Sequence, residues 1–484
     1  MAKTKTRLRD IVVVLPGIMG SVLQKNERDL WAVSGQVAWG ALRSLGGSFQ
    51  QLKLEGDDPE AEYLDDGVKA TRLVDDAHIV PGFVKVDGYT MTKRVITDNF
   101  EVILGNIRED KPANFFEFPY DWRRDVRVNG KILKRYLDQR LQQWREFSGA
   151  KDAKVILLAH SMGGLVSRYY LEVLEGWRDT KALFTFGTPY RGSPMVLNFL
   201  ANGYKNQFLD LTEVVRSLPS AYQLLPIYEM LNVDGKDYRI AEAPVVLPNV
   251  NKAWAENALK FHREIEDAVN THLQDNEYVR NGYKTVPFVG TQQPTLQSAQ
   301  FVNGLVTASG DLPTSFDPLW VDGDGTVPYI SAVPIELSTE FRATYLPEQH
   351  GSLQNHPRVL GELRDRITAA QARGAVSIRG PEIISDASKP PAISLTLDDL
   401  YLADETIDIR VQLLNFNQDP GGVKAKITSV SGATSFDSDL QGQGQDWKLK
   451  LGDLPADLYR VNLQTGSTAP GTPSPVNGLF EVVK

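Results

Sequence analysis

The sequence predicts an α/β fold, in which a mainly parallel β-sheet carries helices on both faces and a smaller antiparallel β-sandwich follows. Apolar strand segments alternate with helical segments along residues 1–376, and this alternation is typical of βαβ units. A sharp turn between one such strand and the next helix contains a serine, Ser161. Beyond a stretch with Gly380-Pro381 and Lys389-Pro390-Pro391, helical patterning gives way to short alternating runs. We therefore predict an α/β domain over 1–376, a linker over 377–391 and a β-sandwich over 392–484.

The first predicted strand is Ile11–Leu15, a continuous apolar run ended by Pro16-Gly17, which suits a strand buried on both faces. Further strands are predicted at Phe115–Tyr120, Val155–Ala159, Leu183–Phe186, Val286–Val289 and Arg342–Leu346. Helical spacing of apolar residues predicts helices over Lys131–Trp144 and Gly164–Leu174. Two intervals, about 20–112 and 190–285, exceed ordinary connections, so we predict that they form cap or lid insertions over the edge of the sheet.

The C-terminal region contains short runs of alternating apolar and polar residues, separated by turn-rich segments. These runs are Ile393–Leu397, Ile407–Leu414, Val423–Ile427, Trp447–Leu451, Tyr459–Leu463 and Leu479–Val483. Strands of this length and spacing predict an antiparallel β-sandwich. No motif in the region identifies a partner, so its role stays open.

Composition excludes several classes of function. The chain has 484 residues, 42% hydrophobic and 23% charged, with a formal net charge of -9. That charge argues against a nucleic-acid partner, because binding to phosphate backbones needs clustered cations. The absence of cysteine excludes disulfides, thiolate catalysis and a Cys-based metal site. Neither a secretory signal nor a run of about 18 apolar residues is visible, so we expect a cytoplasmic protein without a membrane span.

The segment Ala159-His160-Ser161-Met162-Gly163 connects a buried strand to an apolar helix. It fits the G-x-S-x-G nucleophile elbow of α/β-hydrolases, with Ala159 in the first glycine position. Small residues are needed on either side because larger side chains would collide across so sharp a turn. The alternative is a serine that only caps the helix, but the strand before it and the helix after it favour Ser161 as nucleophile. His160 is not expected to act as the base, since adjacent side chains diverge at a tight turn.

The acid and the base follow the nucleophile in this fold, in the order Asp or Glu and then His. In the segment Asp322-Gly323-Asp324-Gly325, we favour Asp324 as the acid and keep Asp322 as the fallback. The same glycine-rich segment is also compatible with a surface turn or a calcium loop. His350 follows a predicted strand and precedes a glycine, so we favour it as the base over His356, which precedes a proline as if at a helix start.

Acyl transfer also needs N–H donors aimed at the carbonyl oxygen that becomes negatively charged. One donor is expected to be the backbone N–H of Met162, directly after the nucleophile. The other is expected in the loop after the first strand, where Gly17 and Gly20 allow a close approach of the backbone; Ile18 N–H is the preferred candidate.

Together these motifs resemble the lecithin:cholesterol acyltransferase family, over roughly residues 10–370. The segments that carry the resemblance are Leu15-Pro16-Gly17-Ile18-Met19-Gly20-Ser21, Phe118-Pro119-Tyr120-Asp121-Trp122-Arg123, Ala159-His160-Ser161-Met162-Gly163-Gly164, Gly187-Thr188-Pro189 and Gly323-Asp324-Gly325-Thr326-Val327-Pro328. The resemblance implies a triad of Ser161, Asp324 and His350. It also implies an oxyanion hole made by the amides of Ile18 and Met162. Asp121 and Arg123 match a motif that we interpret as architectural.

The expected function is that of a serine hydrolase or O-acyltransferase that acts on lipid esters, phospholipid acyl chains among them, without cofactor or metal. Transient contact with a membrane surface is expected, and a partner of the C-terminal region is not identified. Whether water or an alcohol accepts the acyl group depends on how well water is excluded, which sequence does not reveal. The alternatives are a soluble esterase or thioesterase whose substrates are not lipids, and a catalytically silent binding protein.

Overall fold

A six-stranded parallel sheet forms the centre of the molecule. The computed structural model describes residues 4–31, 49–74, 78–80, 84–205, 210–316, 321–337, 344–371 and 390–483. The strands of the sheet are β1 (Ile11–Leu15), β2 (Phe115–Glu117), β3 (Val155–His160), β4 (Thr180–Phe186), β5 (Lys284–Gly290) and β6 (Thr344–Leu346). Their order is β6-β5-β4-β3-β1-β2, and every neighbouring pair is parallel. This arrangement confirms the predicted fold class.

The apolar runs form this sheet because both of its faces are covered. All five residues of β1 and all six of β3 are buried. Since successive side chains of a strand point to opposite faces, Val13 and Leu157 join one hydrophobic core while Val12 and Ile156 join the other. Side chains of the helix Val126–Ser148 pack in the first core. Those of Thr90–Asn99 and Pro357–Gln371 pack in the second, so helices lie on both faces.

The structure defines the bounds of the α-helices. The α-helices are Thr90–Asn99, Val126–Ser148, Met162–Arg168, Pro194–Asn202, Thr212–Arg216, Pro219–Tyr222, Lys252–His272, Asn276–Asn281 and Pro357–Gln371. The second of these begins before the predicted Lys131, because the Asp125 side chain accepts a hydrogen bond from Arg127 N–H and caps the helix there. The predicted helix Gly164–Leu174 begins at Met162, directly after the serine, and continues as a π-helical turn over Tyr169–Val173.

Small sheets of short strands form within the two long intervals. The first interval contains a three-stranded sheet of Ser21–Lys25, Arg28–Trp31 and Val68–Leu73, and a pair formed by His78–Val80 and Val84–Val86. In the second interval, strands Leu231–Val233 and Lys236–Tyr238 form a four-stranded sheet with Ser298–Val302 and Leu305–Ser309. Two strands of this sheet therefore come from beyond β5. Among the helices in the described ranges, none combines the length and the apolar character needed to cross a membrane.

Buried arginines attach the first interval to the sheet. Arg123 is fully buried and donates to both carboxylate oxygens of Asp121, at 2.9 and 2.6 Å, and to Asp66 at 2.8 Å. The next residue, Arg124, donates to Asp57 at 2.9 Å. A buried guanidinium requires such partners, and these contacts support the architectural interpretation of the Asp121-Trp122-Arg123 motif.

The C-terminal region folds as two sheets around a hydrophobic core of their own. One sheet has the order Ala392–Thr396, Ile407–Leu414, Asp446–Leu451 and Gln441–Gln443; the other has the order Leu400–Leu402, Val476–Val483, Asp457–Thr465, Val423–Ser429 and Ser435–Asp439. The pairs are antiparallel as predicted, with one exception: Leu400–Leu402 runs parallel to Val476–Val483 at a sheet edge. Of the predicted linker 377–391, residues 377–389 lie outside the described residues.

Direct hydrogen bonds connect the C-terminal sheets to the α/β part. The Gln293 side chain donates to Ile393 O at 3.0 Å and accepts from Leu395 N at 3.1 Å. Arg460 donates to Asp87 at 2.7 Å. The two parts therefore share an interface, and it lies beside the loops that follow β5 and β6.

Candidate active site

Ser161 occupies a strained turn between β3 and the helix Met162–Arg168. Its backbone has φ 51° and ψ -125°, a combination that residues with a side chain rarely adopt. The turn is held by Ser161 N, which donates to Phe186 O of the neighbouring strand at 2.9 Å, and by Gly164 N, which donates to Ser161 O at 3.0 Å. Such a strained backbone persists only where its surroundings over-determine it, which is typical of a nucleophile elbow.

Glycines surround this turn for a steric reason. A Cβ on Gly163 would lie 2.5 Å from Pro16 O, and one on Gly17 would lie 2.9 Å from the Ser161 Cβ. A Cβ on Gly164 would lie 2.0 Å from the hydroxyl oxygen of Thr188, which donates to Ser161 O at 3.0 Å. The loop after β1 therefore lies directly against the serine, and the Gly-Thr-Pro segment after β4 holds its carbonyl.

Asp324 and His350 meet at the same edge of the sheet. Asp324 is 1% exposed and its Oδ2 lies 2.7 Å from His350 Nδ1. The other carboxylate oxygen accepts from Thr326 N at 3.0 Å and from Val327 N at 2.7 Å. His350 N also donates to Asp324 O at 2.8 Å. One oxygen of the Asp324 carboxylate is thus held by the backbone of the following turn, and the other is bonded to the His350 imidazole.

The parallel topology brings these groups to Ser161. A Cβ on Gly187, which follows β4 with φ 58°, would lie 2.8 Å from both Asp324 Oδ2 and His350 Nδ1. Gly187 directly follows Phe186, whose carbonyl binds Ser161 N. Among the described residues, no hydrogen bond joins the Ser161 hydroxyl to the His350 imidazole. Such bonds are often long in unliganded sites and tighten around a substrate.

The two backbone amides predicted for an oxyanion hole belong to Met162, directly after the serine, and to Ile18, which follows Gly17 in the loop that lies against the serine. Met162 is the first residue of its helix, where N–H groups have no partner within the helix. Gly17 N donates to the Tyr89 hydroxyl at 3.0 Å, whereas Ile18 N and Met162 N donate to no residue in the described ranges. The positive end of the helix dipole adds to the preference of this position for negative charge.

The remaining candidates take no part in the hydrogen bond between Asp324 and His350. Asp322 has φ 78°, and its carbonyl accepts from Tyr329 N and the Gln297 side chain, both at 2.9 Å. His356 accepts from Arg358 N at 3.2 Å at the start of a helix, as the sequence indicated. His160 is buried, with both ring nitrogens engaged by Tyr89 and by His350 O. Among the described residues, no three His, Asp or Glu side chains cluster so as to hold a metal ion.

No sequence signal indicated the contacts that fix the base loop, the loop after β6 that carries His350. Glu348, two residues before His350, is fully buried against the C-terminal sheet. Its carboxylate accepts from Gln349 N at 2.8 Å, from Asn477 N at 3.2 Å and from the Asn477 side chain at 3.0 Å. Burial raises the pKa of Glu348 to about 8, aided by the nearby charge of Asp87 and opposed by these three donors. Glu348, which anchors the base loop, is thus held in place by Asn477 of the C-terminal region.

This raised pKa predicts a pH-dependent stability. Between pH 4.5, the ordinary pKa, and about pH 8, the folded protein retains a proton on Glu348 that the unfolded chain has lost. The folded state binds more protons there, so its free energy of unfolding falls as the pH rises. We expect Glu348→Gln to remove this loss and to raise the melting temperature by about 3 °C at pH 8. Thermal unfolding followed by circular dichroism checks this; the gain should vanish near pH 4, and a gain independent of pH would contradict the expectation.

A cavity of about 250 Å³ borders the Asp324–His350 pair. Its lining includes Gln349 and Gly351 of the base loop and, from the C-terminal region, Leu395, Thr396 and Leu397. Four apolar residues of the two long intervals do not line this cavity and are buried in the hydrophobic core that Val13 and Leu157 join: Trp31, Tyr222, Leu224 and Leu225.

Residues 65–304 match the sequence model of the family described as lecithin:cholesterol acyltransferase. This stretch of the chain is therefore similar to that family, which confirms the resemblance that the motifs indicated. The matched stretch contains Ser161 and Met162 and ends before Asp324 and His350.

Several curated relatives are similar to parts of the chain. The lysosomal phospholipase A and acyltransferase of Homo sapiens is 32% identical over 116 residues, which cover 22% of this chain and 27% of the relative. The protein of that name from Bos taurus is 33% identical over 116 residues. The lecithin-cholesterol acyltransferase-like 4 protein of Arabidopsis thaliana is 24% identical over 314 residues, which cover 54% of this chain and 57% of the relative. The chain thus spans about a quarter of the human relative and somewhat more than half of the plant one.

Two solved structures of a Bacillus licheniformis lipase, BlEst2, also match. The mature form is 14% identical with a TM-score of 0.34 and covers 75% of this chain and 95% of the lipase. The propeptide form is 13% identical with a TM-score of 0.35 and covers 97% of this chain and 92% of the lipase.

Proposed function

We propose that the chain is a serine-dependent acyl-ester hydrolase or O-acyltransferase that acts on lipid esters through an acyl-enzyme intermediate. The observation that carries this proposal is the 2.7 Å contact between His350 Nδ1 and Asp324 Oδ2, located beside the strained turn of Ser161. The match of residues 65–304 to the model of the lecithin:cholesterol acyltransferase family supports lipid esters as the substrate class.

In this mechanism the Ser161 hydroxyl attacks the ester carbonyl while Nε2 of His350 accepts its proton. Asp324 accepts the hydrogen bond from Nδ1–H, which keeps the lone pair on Nε2 and stabilises the imidazolium. The carbonyl oxygen becomes negatively charged and accepts hydrogen bonds from Ile18 N–H and Met162 N–H.

His350 then gives its proton to the leaving alcohol oxygen, and the ester bond breaks to leave an acyl group on Ser161. Water or an acceptor alcohol attacks the acyl-enzyme with His350 as base again, and the proton returns to Ser161. None of these steps requires a metal or a cofactor. His350 moves the proton and protonates the leaving group, and the backbone amides stabilise the oxyanion.

The experiment that tests the proposal is product analysis by mass spectrometry. The purified protein is incubated with a dispersed phospholipid mixture, with and without a long-chain alcohol. We expect lysophospholipid together with free fatty acid, and an alkyl ester in addition when the alcohol is accepted. Ser161→Ala protein should give neither product.

The same experiment separates the alternatives. If the protein hydrolyses short soluble esters but releases no fatty acid from phospholipid, it is a soluble esterase or thioesterase and its substrates are not lipids. A wild-type protein that turns over no ester and is not labelled by a fluorophosphonate at Ser161 would instead be a binding protein.

Three further expectations from the sequence stay predictions. They are a transient contact with the surface of a membrane, a cytoplasmic location, and a division of the chain into an α/β domain and a β-sandwich domain joined by residues 377–391. The hydrogen bonds between Gln293 and the C-terminal strand Ala392–Thr396 support a sandwich that docks on the α/β part beside the site.

A further inference from the structure

Three hydrogen bonds connect the loop after β1 with the loop that carries His350. Gly17 N lies 3.0 Å from the Tyr89 hydroxyl, and that hydroxyl lies 3.0 Å from His160 Nδ1. His160 Nε2 then lies 3.2 Å from His350 O. Tyr89 and His160 are 3% and 2% exposed, so no solvent competes for these contacts.

The ends of this chain of hydrogen bonds fix the direction of every proton in it. A backbone N–H can only donate and a carbonyl can only accept. Gly17 N–H therefore donates to the Tyr89 oxygen, and the Tyr89 O–H donates to His160 Nδ1. The His160 proton consequently sits on Nε2 and is donated to His350 O.

His160 is held in its neutral form. Burial, together with the charge of His350, lowers the pKa of His160 to about 3. The two imidazole rings lie 4.9 Å apart. A charged His160 would oppose formation of the imidazolium at His350, so a neutral ring suits a neighbour that must accept a proton during catalysis.

We propose that Tyr89 and His160 act as a positioning pair that fixes the oxyanion loop and the base loop relative to each other across the nucleophile. The inference rests on the proposed function, since it assigns the pair a role in that reaction. Gly17 directly precedes Ile18, and a Cβ on Gly17 would lie 3.2 Å from His160 Nδ1 and 3.4 Å from the Ser161 hydroxyl oxygen. At the other end, the backbone N–H and the Nδ1 atom of His350 are hydrogen-bonded to Asp324. His160 supplies the hydrogen bond to the His350 backbone carbonyl.

The test measures kcat and KM on a short p-nitrophenyl ester, with active sites counted by fluorophosphonate titration. Tyr89→Phe keeps the ring and removes the hydroxyl that joins the two loops. We expect kcat per titrated site to fall about tenfold, with KM within about twofold, because the reacting groups are misplaced while ester binding is retained. The matched control is Tyr459→Phe, which removes a hydroxyl that donates to Pro455 O in the C-terminal region and should leave kcat unchanged.

Variants of His160 separate positioning from packing. Gln offers a donor and an acceptor, so His160→Gln should retain more of kcat than His160→Phe. Because both residues act in one chain of hydrogen bonds, Tyr89→Phe combined with His160→Phe should be no slower than His160→Phe alone.

Two outcomes would overturn this inference while leaving the proposed function intact. One is a Tyr89→Phe enzyme with wild-type kcat per site; the other is a loss confined to the number of titratable sites. If the wild-type protein itself neither turns over ester nor takes up fluorophosphonate, the proposed function fails instead.

Discussion

Ser161→Ala is expected to reduce ester turnover by roughly 10⁴- to 10⁶-fold. Alanine retains the Cβ, so the strained backbone at φ 51° and its bonds to Phe186 O and Gly164 N are unchanged. Only the hydroxyl is lost, and with it the atom that would form the acyl-enzyme. Initial rates on a p-nitrophenyl ester and labelling by a fluorophosphonate both measure the effect.

Ser167→Ala is the matched control for this variant. Ser167 is a fully buried serine of the same helix, and its hydroxyl donates to Gly163 O at 2.8 Å. Its removal should change activity little. A Ser161→Ala protein that retains more than about a hundredth of the wild-type rate would refute Ser161 as nucleophile.

Asp324→Asn is expected to lower kcat by about 10⁴-fold with little change in fold. The Oδ1 atom of Asp324 accepts from Thr326 N–H and Val327 N–H, so the oxygen of an asparagine must remain on that side. Its NH₂ group would then face His350 Nδ1 and donate to it. This contact places the imidazole proton on Nε2, which leaves no lone pair there to accept the proton of Ser161.

Asp322→Asn distinguishes the two candidates for the acid. In the structure Asp322 contributes its backbone carbonyl to Tyr329 N and to the Gln297 side chain, contacts that asparagine retains. We expect its kcat to stay within about threefold of wild type, since asparagine has nearly the same shape as aspartate and removes no contact of the Asp324–His350 pair. Steady-state kinetics of both variants decide the question, and a larger loss in Asp322→Asn than in Asp324→Asn would reverse the assignment.

The sequence predicted the central sheet well because its strands are buried on both faces. Strands of this kind appear as uninterrupted apolar runs, and Ile11–Leu15 has the same bounds in the prediction and in the structure. Helix boundaries were less accurate. The helix Val126–Ser148 begins at an Asp125 cap rather than at the first clear apolar repeat, and the bonds that form this cap depend on local geometry.

The candidate site could be predicted in part. Asp324 and His350 were selected by chain order and by their neighbouring glycines, and the structure joins them by a hydrogen bond. Their catalytic role and that of Ser161 stay proposals. The sequence showed Gly187 only as part of a motif. A glycine is needed there because the backbone closely approaches both Asp324 and His350, which lie far along the chain.

The sequence by itself determined the parallel α/β sheet, the serine turn after β3 and the β-rich C-terminal region, because each follows from local patterns of apolar and small residues. Only the tertiary structure decided which loops meet: Tyr89 with His160, and Glu348 with Asn477. These pairs lie 71 and 129 residues apart in the chain. For the first pair the physical reason is that a parallel sheet gathers the loops at the carboxyl ends of its strands, so distant residues become neighbours through strand order. The second pair forms because the C-terminal strand Val476–Val483 packs on the base loop, and no local pattern encodes either contact.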